Sequence, residues 1–187
     1  EAFMTKNIFE PLGLSDTYFF LPEEKLMRLP AFHRVVNGKL KADRAQGEEF
    51  PRSTFFHGGG GVESSPKDVL KFARLFLHGG AVDGVRLLKP ETVRLMMKDH
   101  LGTKTPYPGG FSWGFGAAVR YTETDKASGT PGQYGWVGGG YAKLWVDPKE
   151  RLVAYFAFPV MPPGDNELLR EFEQLVYGAM TKPNAKP

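Results

Sequence analysis

The feature that most constrains the fold is a change in hydrophobic period near residue 111. Before it, Ser65 is a natural helix N-cap and Pro66 suits the first helical position. The positions that follow carry an apolar face at helical spacing, formed by Val69, Phe72, Ala73 and Phe76. From residue 111 onward Phe111, Trp113 and Phe115 alternate with small residues, which is the period of a strand. Helices followed by a run of strands predict an α+β fold.

Two further strands and a last helix complete the predicted sheet region. Residues 141–146 and 152–158 are rich in strand-favouring residues, and the turn at residues 147–150 joins them as an antiparallel pair. A helix is predicted over residues 166–180, with its buried stripe made by Leu168, Leu169, Phe172, Leu175 and Val176. We therefore expect residues 1–110 to be a helix- and loop-rich part and residues 111–187 an antiparallel sheet covered by the C-terminal helix, within one domain.

In the first 110 residues, prolines, glycines and capping residues predict where several short helices and turns begin and end. A helix is predicted to begin near the N-terminus and to be stopped by residues 10–13, because Pro11 disfavours a helical conformation in the residue before it. A second, short helix is predicted to begin at Pro22 and to end before Pro30. Asn37-Gly38 predicts a hairpin, whereas residues 41–57 are polar and predicted to be irregular. In the helix that Ser65 caps, Asp68 is predicted to complete a capping box. That helix should end at residues 78–80, before a hairpin at Asp83-Gly84 and a helix that starts at Pro90.

Composition excludes several classes of protein. The chain has 187 residues and no cysteine, which excludes disulfide scaffolds, thiolate zinc sites and cysteine nucleophiles. The net charge is +3 with scattered Lys and Arg, so no nucleic-acid partner is expected. No apolar run is long enough for a membrane span. The four histidines are far apart in sequence, so we expect neither a metal site nor a cofactor.

The stretch with the richest chemistry is residues 134–141, Tyr-Gly-Trp-Val-Gly-Gly-Gly-Tyr. Three consecutive glycines on an edge strand would leave backbone N–H groups accessible to a substrate. Such donors are what an oxyanion hole is made from. A β-bulge or a tight bend would also explain the glycines, and both interpretations stay open at this point.

Four segments in this order resemble the C-terminal half of the serine β-lactamase-like superfamily, which includes class C β-lactamases, DD-peptidases and related carboxylesterases. They are residues 8–17, the glycine run at residues 58–61 together with residues 62–68, residues 83–91, and residues 134–148. The resemblance covers about residues 3–178. It implies part of a β-lactamase/penicillin-binding-protein-like fold.

The resemblance also implies where the catalytic groups should be. The S-x-x-K and Y-x-N motifs of the family lie upstream of the segment at residues 8–17, so this chain is expected to lack the nucleophile. The third motif, K-T-G or W-x-G, corresponds to Trp136, Val137 and Gly138. The usual esterase version reads W-G-G-A, from which Val137 and Gly139 depart.

Several site residues follow from the resemblance alone. It implies that the backbone N–H of Gly139 is an oxyanion donor. Tyr134 and Gly140 are expected on the strand that flanks the substrate, and His57 and Gly59 of the glycine-run segment at the pocket rim. Tryptophan in place of the motif lysine favours esters or small amides over β-lactams, because no cation remains there to pair with a β-lactam carboxylate.

Ser64-Ser65-Pro66-Lys67 is a literal S-x-x-K, but Ser65 and Pro66 are fully explained as the start of a helix. We therefore predict that Ser64 is not the nucleophile. The chain also begins inside a helical pattern, which predicts that it is the later part of a longer domain.

The sequence thus predicts a serine hydrolase when complete, which acts on a small-molecule ester, amide or β-lactam and needs the upstream half of the domain. The alternative is a non-catalytic binding or scaffolding module with an empty β-lactamase-like fold. An S-x-x-K and a Y-x-N upstream of Glu1 would favour the hydrolase.

Overall fold

A five-stranded antiparallel sheet is the centre of the structure, a computed structural model that describes residues 1–48, 56, 59–102, 110–121, 129–138, 142–161 and 167–180. Its strand order is β11-β10-β9-β8-β7. The strands are β7 (Phe111–Trp113), β8 (Ala118–Arg120), β9 (Tyr134–Val137), β10 (Ala142–Asp147) and β11 (Leu152–Ala157). The last described helix is α5 (Glu167–Gly178). The predicted α+β class is confirmed.

Strand β9 lies inside the sheet, so the prediction of an edge strand was wrong. It pairs with β10 along its whole length, from Tyr134 to Val137. On its other side β8 pairs only with Tyr134 and Gly135. The sequence did not indicate β8 because three residues are too few to show an alternating pattern. Among the described strands, Trp136 and Val137 therefore pair with β10 and extend beyond the end of β8.

Two helices cover opposite faces of this sheet. Helix α3 (Pro66–Leu77) contacts β10 and β11, and its Phe76 packs against Tyr134. Helix α5 places Phe172 against Trp145. Trp145 lies opposite Gly135 in the register, and successive residues of a strand point to opposite faces. Trp145 and Tyr134 therefore point to opposite sides, and so the two helices lie on opposite sides as well.

Helix α3 begins as predicted, but its first-turn carboxylate has another function. The hydroxyl of Ser65 accepts a hydrogen bond from the backbone N–H of Asp68. The Asp68 carboxylate does not return a capping-box bond. It accepts hydrogen bonds from the backbone N–H of Asp16 at 2.7 Å and the hydroxyl of Thr17 at 3.0 Å. Asp68 thus attaches the first segment of the chain to α3, close to the pairing of β1 (Thr17–Tyr18) with β4 (Glu63–Ser64).

The first helical stretch ends within the predicted stop at residues 10–13, but not at the residue before Pro11. It consists of α1 (Ala2–Met4), a π turn (Thr5–Phe9) and α2 (Glu10–Leu12). A proline needs a break in the regular helical hydrogen bonds, and the π turn just before Pro11 supplies one. The helix ends instead at Gly13, which takes the left-handed conformation with φ of 61°.

The predicted buried stripe of α5 was partly wrong. Leu169 and Phe172 face the sheet, but Leu168 and Leu175 are exposed. Glu173 is buried in their place, where it forms an ion pair with Lys143 of β10. An apolar pattern cannot reveal a buried carboxylate whose partner lies in another element.

The other short elements agree with the sequence at most positions. Asn37 and Gly38 form the turn between β2 (Phe32–Val36) and β3 (Lys39–Arg44), with φ of 51° and 71°. Because β3 reaches Arg44, the prediction of irregular structure from residue 41 was wrong. A 3₁₀ helix (Glu23–Arg28) follows Pro22, which is its N-cap. The remaining elements are the hairpin of β5 (Ala81–Val82) and β6 (Val85–Arg86), helix α4 (Pro90–Met96), and β12 (Val160–Met161), which is parallel to β2.

Strand β7 stops at Trp113, so the expected continuation through Phe115 was wrong. The chain turns at residues 114–117 and returns as β8. Among the helices that the structure describes, none combines the length and apolar character that crossing a bilayer requires.

Candidate functional site

The W-x-G residues lie at the end of β9, beyond the described pairing of β9 with β8. The Trp136 side chain is 43 % exposed, and its ring centroid lies 4.5 Å from that of Trp113. Val137 is half-buried and pairs with Lys143. The backbone N–H of Gly138 donates to the carbonyl of Ala142 at 2.7 Å, so the turn toward β10 starts at Gly138. The structure therefore brings all three motif residues together at one exposed end of the sheet.

A glycine that the sequence did not single out is the one this strand requires. A side chain on Gly135 would overlap the carbonyl oxygen of Leu144 and the backbone of Trp145. At Gly138 an added Cβ would meet only the oxygen of Ala142, at an ordinary 3.7 Å. The close approach of β9 to β10 thus depends on Gly135, which immediately precedes the exposed Trp136.

Tyr134 does not share the exposure of its neighbours. Its side chain is 7 % exposed and packs in a small core cluster with Ala117 and Val119. The hydroxyl donates a hydrogen bond to the carbonyl of Phe115, and burial raises the pKa of Tyr134. A substrate contact through the Tyr134 side chain is at odds with this burial. The ring instead packs on the α3 side of the sheet, against Phe76.

Several predicted site residues lie outside the described part of the chain. These are Gly139, Gly140 and His57. Gly59 is described and exposed in a turn. Phe56 lies before the glycine run, and its ring packs against Phe19 and Phe20. That contact places Phe56 beside the end of β1.

A cleft of about 550 Å³ lies between the sheet, the 3₁₀ helix and the start of α3. The cleft extends to the W-x-G segment at Ala142, whose carbonyl accepts the hydrogen bond from the backbone N–H of Gly138. One part of its lining is apolar and the other is charged or polar. The apolar part includes Leu21, Leu29, Phe32, Ala142, Tyr155, Ala157 and Phe158, and the polar part includes Asp16, Lys25, Arg28, Glu48, Glu63, Ser64 and Ser65.

The charged part of the cleft is organised around Asp16. Lys25 and Arg28 each place a nitrogen 2.6 Å from the same Asp16 oxygen. Hydrogen bonds from Arg28 and then Lys25 lower the pKa of Asp16 to about 2. The sequence offered no signal for this cleft, because its walls come from segments that are distant in the chain.

Ser64 of the literal S-x-x-K lies in the wall of the cleft. Its hydroxyl is 2.8 Å from the hydroxyl of Thr17, which in turn donates to Asp68. Lys67 does not line the cleft and is exposed. Within the described ranges, no three His, Asp or Glu side chains lie close enough together to hold a metal ion.

Comparison with known proteins gives a consistent result. A family model described as Beta-lactamase matches residues 1–178. ML-236A carboxylate methylbutanoyltransferase mlcH of Penicillium citrinum is 30% identical over 95% of this chain and 48% of its own length. Lovastatin esterase of Penicillium rubens is 29% identical over 92% of this chain and 48% of its own length.

A similar solved structure is a LovD6 mutant of the simvastatin synthase LovD of Aspergillus terreus. It superposes with a TM-score of 0.77 at 27% sequence identity, over 95% of this chain and 49% of that one. The chain therefore spans about half the length of the relatives that it matches.

Proposed function

The chain belongs to the beta-lactamase family, and on that premise we propose that it is the C-terminal portion of a serine hydrolase. The complete protein would hydrolyse an ester or a small amide through a covalent acyl-enzyme. The observation that carries the proposal is the position of Trp136, Val137 and Gly138 at the end of β9. Relatives whose names describe an acyltransferase and an esterase support acyl transfer as the reaction class.

The chain would contribute the side of the site that stabilises charge. When a serine attacks an ester carbonyl, the carbonyl oxygen becomes an oxyanion that fixed N–H donors stabilise. We propose the backbone N–H of Gly139 as one such donor, because it follows Gly138 directly in sequence. The nucleophile would come from the part of the relatives' length that this chain does not span.

Trp136 bears on the choice of substrate. At the motif position where β-lactamases carry a lysine, this chain has an uncharged aromatic ring. A carboxylate on the substrate would find no cation there, whereas an apolar ester group would find a surface to pack against. An ester is therefore favoured over a β-lactam.

The cleft beside Ala142 supplies room for the acyl group. Its volume of about 550 Å³ falls in the range of small-molecule pockets. The apolar part of its wall, which includes Ala157 and Phe158, suits a short hydrocarbon chain. The acyl group would remain in this cleft while the alcohol leaves.

The test combines turnover with covalent labelling. The complete protein and the 187-residue chain would each be given p-nitrophenyl butyrate and then a fluorophosphonate, with the adduct mapped by mass spectrometry. We expect turnover and labelling on an upstream S-x-x-K serine of the complete protein, and neither in the chain alone. A Ser64→Ala variant of the complete protein is the matched control and should still be labelled on the upstream serine.

Other outcomes would contradict the proposal in different ways. An adduct on Ser64, or robust hydrolysis by residues 1–187 alone, would refute the assignment of the nucleophile to the upstream part. A complete protein that is neither labelled nor active would favour the alternative, a binding or scaffolding module.

A further inference from the structure

Two pairs of aromatic rings lie beside the W-x-G end of β9, and we call this group the aromatic shelf. It consists of Trp136, Trp113, Phe115 and His100, with Leu95 at its end. The rings of Trp113 and Trp136 lie 4.5 Å apart at an angle of 45°. Phe115 follows Trp113 by two residues, and His100 stacks on it in parallel at 4.1 Å.

Backbone hydrogen bonds hold the aromatic shelf in place. The N–H of Phe115 donates to the carbonyl of Met96, and the N–H of His100 donates to the carbonyl of Trp113, both at 2.9 Å. The Tyr134 hydroxyl donates to the carbonyl of Phe115. A side chain on Gly114 would overlap the carbonyl of Met96, so this close approach needs glycine. The rings are thus ordered before any ligand arrives, which lowers the entropy cost of binding.

The surface of the aromatic shelf is apolar. Trp136 is 43 % exposed, and Phe115 and Leu95 are each 50 % exposed. His100 is its one titratable member among the described residues, and Nε2 of its ring lies 2.8 Å from the carbonyl of Leu95, a geometry in which this nitrogen donates. The neighbouring Asp99 carboxylate accepts hydrogen bonds from Ser112 and from two backbone N–H groups. A ligand of this surface would therefore be uncharged and rich in rings or hydrocarbon.

We propose that the aromatic shelf binds the alcohol portion of the ester substrate, and that this portion is bulky and apolar. The inference rests on the proposed function. The cleft borders the end of the β9–β10 pair at Ala142, and the aromatic shelf borders it at Trp136. An ester carbonyl held near Gly138 would thus have the cleft on one side and the aromatic shelf on the other.

The openness of the two surfaces decides which half of the ester goes where. The alcohol must leave while the acyl group is still attached to the enzyme. An exposed shelf lets an alcohol depart, whereas the acyl group, held by its ester bond to the serine, can stay in the cleft between the sheet, the 3₁₀ helix and α3.

The test compares two esters with the same acyl group and similar leaving groups. Ethyl butyrate and 2-(2-naphthyl)ethyl butyrate differ in the ring system that the aromatic shelf would bind. We expect Phe115→Ala in the complete protein to lower kcat/KM for the naphthyl ester by roughly three- to tenfold, the range for loss of one aromatic contact. The value for ethyl butyrate should fall much less, because its ethyl group has no ring to contact Phe115, and Phe115→Leu should restore part of the loss.

A binding measurement makes the result independent of turnover. Titration calorimetry would measure the Kd of 2-(2-naphthyl)ethanol, which has no acyl group, for wild type, Phe115→Ala and the control Leu175→Ala. Leu175 is exposed on α5, on the opposite side of the sheet from α3, and its substitution should leave this Kd unchanged. We expect Phe115→Ala to weaken binding by the same factor as it lowers kcat/KM.

The outcomes separate the inference from the proposed function. If both esters are hydrolysed but Phe115→Ala leaves their kcat/KM ratio unchanged, the inference is overturned and the hydrolase stands. If wild type does not bind the naphthyl alcohol, another segment or a second copy covers the aromatic shelf, and the inference is again overturned. If neither ester is hydrolysed, the proposed function fails and the assignment to an ester's alcohol fails with it, whatever binds there.

Discussion

Tyr177 is the residue whose removal tests the fold most directly, because its hydroxyl connects α5 to two parts of the sheet. It donates to the carboxylate of Asp147 at 2.8 Å. It accepts from the side-chain amide of Gln133 and from the indole N–H of Trp145, both at 3.2 Å. Asp147 and Trp145 are 0 % exposed and Gln133 is 2 % exposed, so water cannot replace the lost partner without rearrangement.

The change Tyr177→Phe keeps the ring and removes these three hydrogen bonds. Loss of a bond to a charged group costs roughly 1.5–3 kcal/mol, and a neutral one about 1 kcal/mol. Asp147 keeps its bonds from Thr130 and from the backbone of Glu150, which limits the loss at that end. We expect the free energy of unfolding to fall by about 3 kcal/mol, a large part of the stability of an ordinary domain.

Equilibrium urea unfolding followed by far-UV circular dichroism would measure this loss. Leu175→Ala on the same helix is the matched control, because its exposed side chain should contribute no more than about 0.5 kcal/mol. A loss below about 1 kcal/mol in Tyr177→Phe would refute the reasoning, since it would mean that the three groups find other partners at little cost.

The same residue predicts a dependence on alkaline pH. Burial, followed by the negative charge of Asp147, raises the pKa of Tyr177 above its ordinary value of 10.0. The folded state then binds more protons than the unfolded state at pH values above 10, so stability falls as the pH rises through that range. This fall should be smaller in Tyr177→Phe, which has no phenol to titrate.

Three further predictions concern the region around the site. Asp68→Ala should lower the free energy of unfolding by about 2 kcal/mol, because it removes a carboxylate that accepts hydrogen bonds from Asp16 and Thr17. Ser65→Ala should lower it by about 1 kcal/mol through loss of the N-cap of α3. Chemical denaturation would compare the two variants, and equal losses would contradict the attachment of the first segment to α3 through Asp68. Gly135→Ala should separate β9 from β10 and destabilise the fold by roughly 1–3 kcal/mol, whereas Gly138→Ala should be tolerated; a Tm unchanged by the first would disprove the steric argument. Asp16→Asn should lower the Tm at neutral pH. The difference in Tm from wild type should shrink as the pH falls from 3.8 toward 2, because a carboxylate with a lowered pKa contributes its full stability only above that range. A difference in Tm that does not depend on pH would contradict the explanation by ion pairs with Lys25 and Arg28.

The elements that the sequence predicted well are those whose signals are local. Ser65 and Pro66 start α3, and Asn37-Gly38 and Asp83-Gly84 take positive φ at their turns. Each of these depends on the conformational preferences of two or three adjacent residues, which are the same in any surrounding structure. The order of the four family-like segments likewise predicted the fold class, which the structure confirms.

The features that the sequence missed depend on contacts between distant segments. Lys143 and Glu173 form a buried ion pair across thirty residues, so a stripe of apolar residues was a poor guide to the inner face of α5. Strand β9 lies inside the sheet because the three-residue β8 pairs with part of it. The need for glycine at position 135 arises from the backbone of Leu144, and nothing near position 135 in sequence indicates that approach.

The polar groups on the α5 side of β10 bear on the geometry of the site on the other side. Lys143 lies opposite Val137 in the register, and Asp147 points to the same face as Lys143. If β10 slipped by one residue against β9, its side chains would exchange faces, and the side chains of Lys143 and Asp147 would move to the α3 side. Glu173 and Tyr177 on α5 would then lose these partners. Leaving these buried groups without partners would cost on the order of several kcal/mol. Because the register of β10 decides where Gly138 meets Ala142, the buried polar contacts with α5 specify the backbone position of the W-x-G segment as well as stabilise the helix.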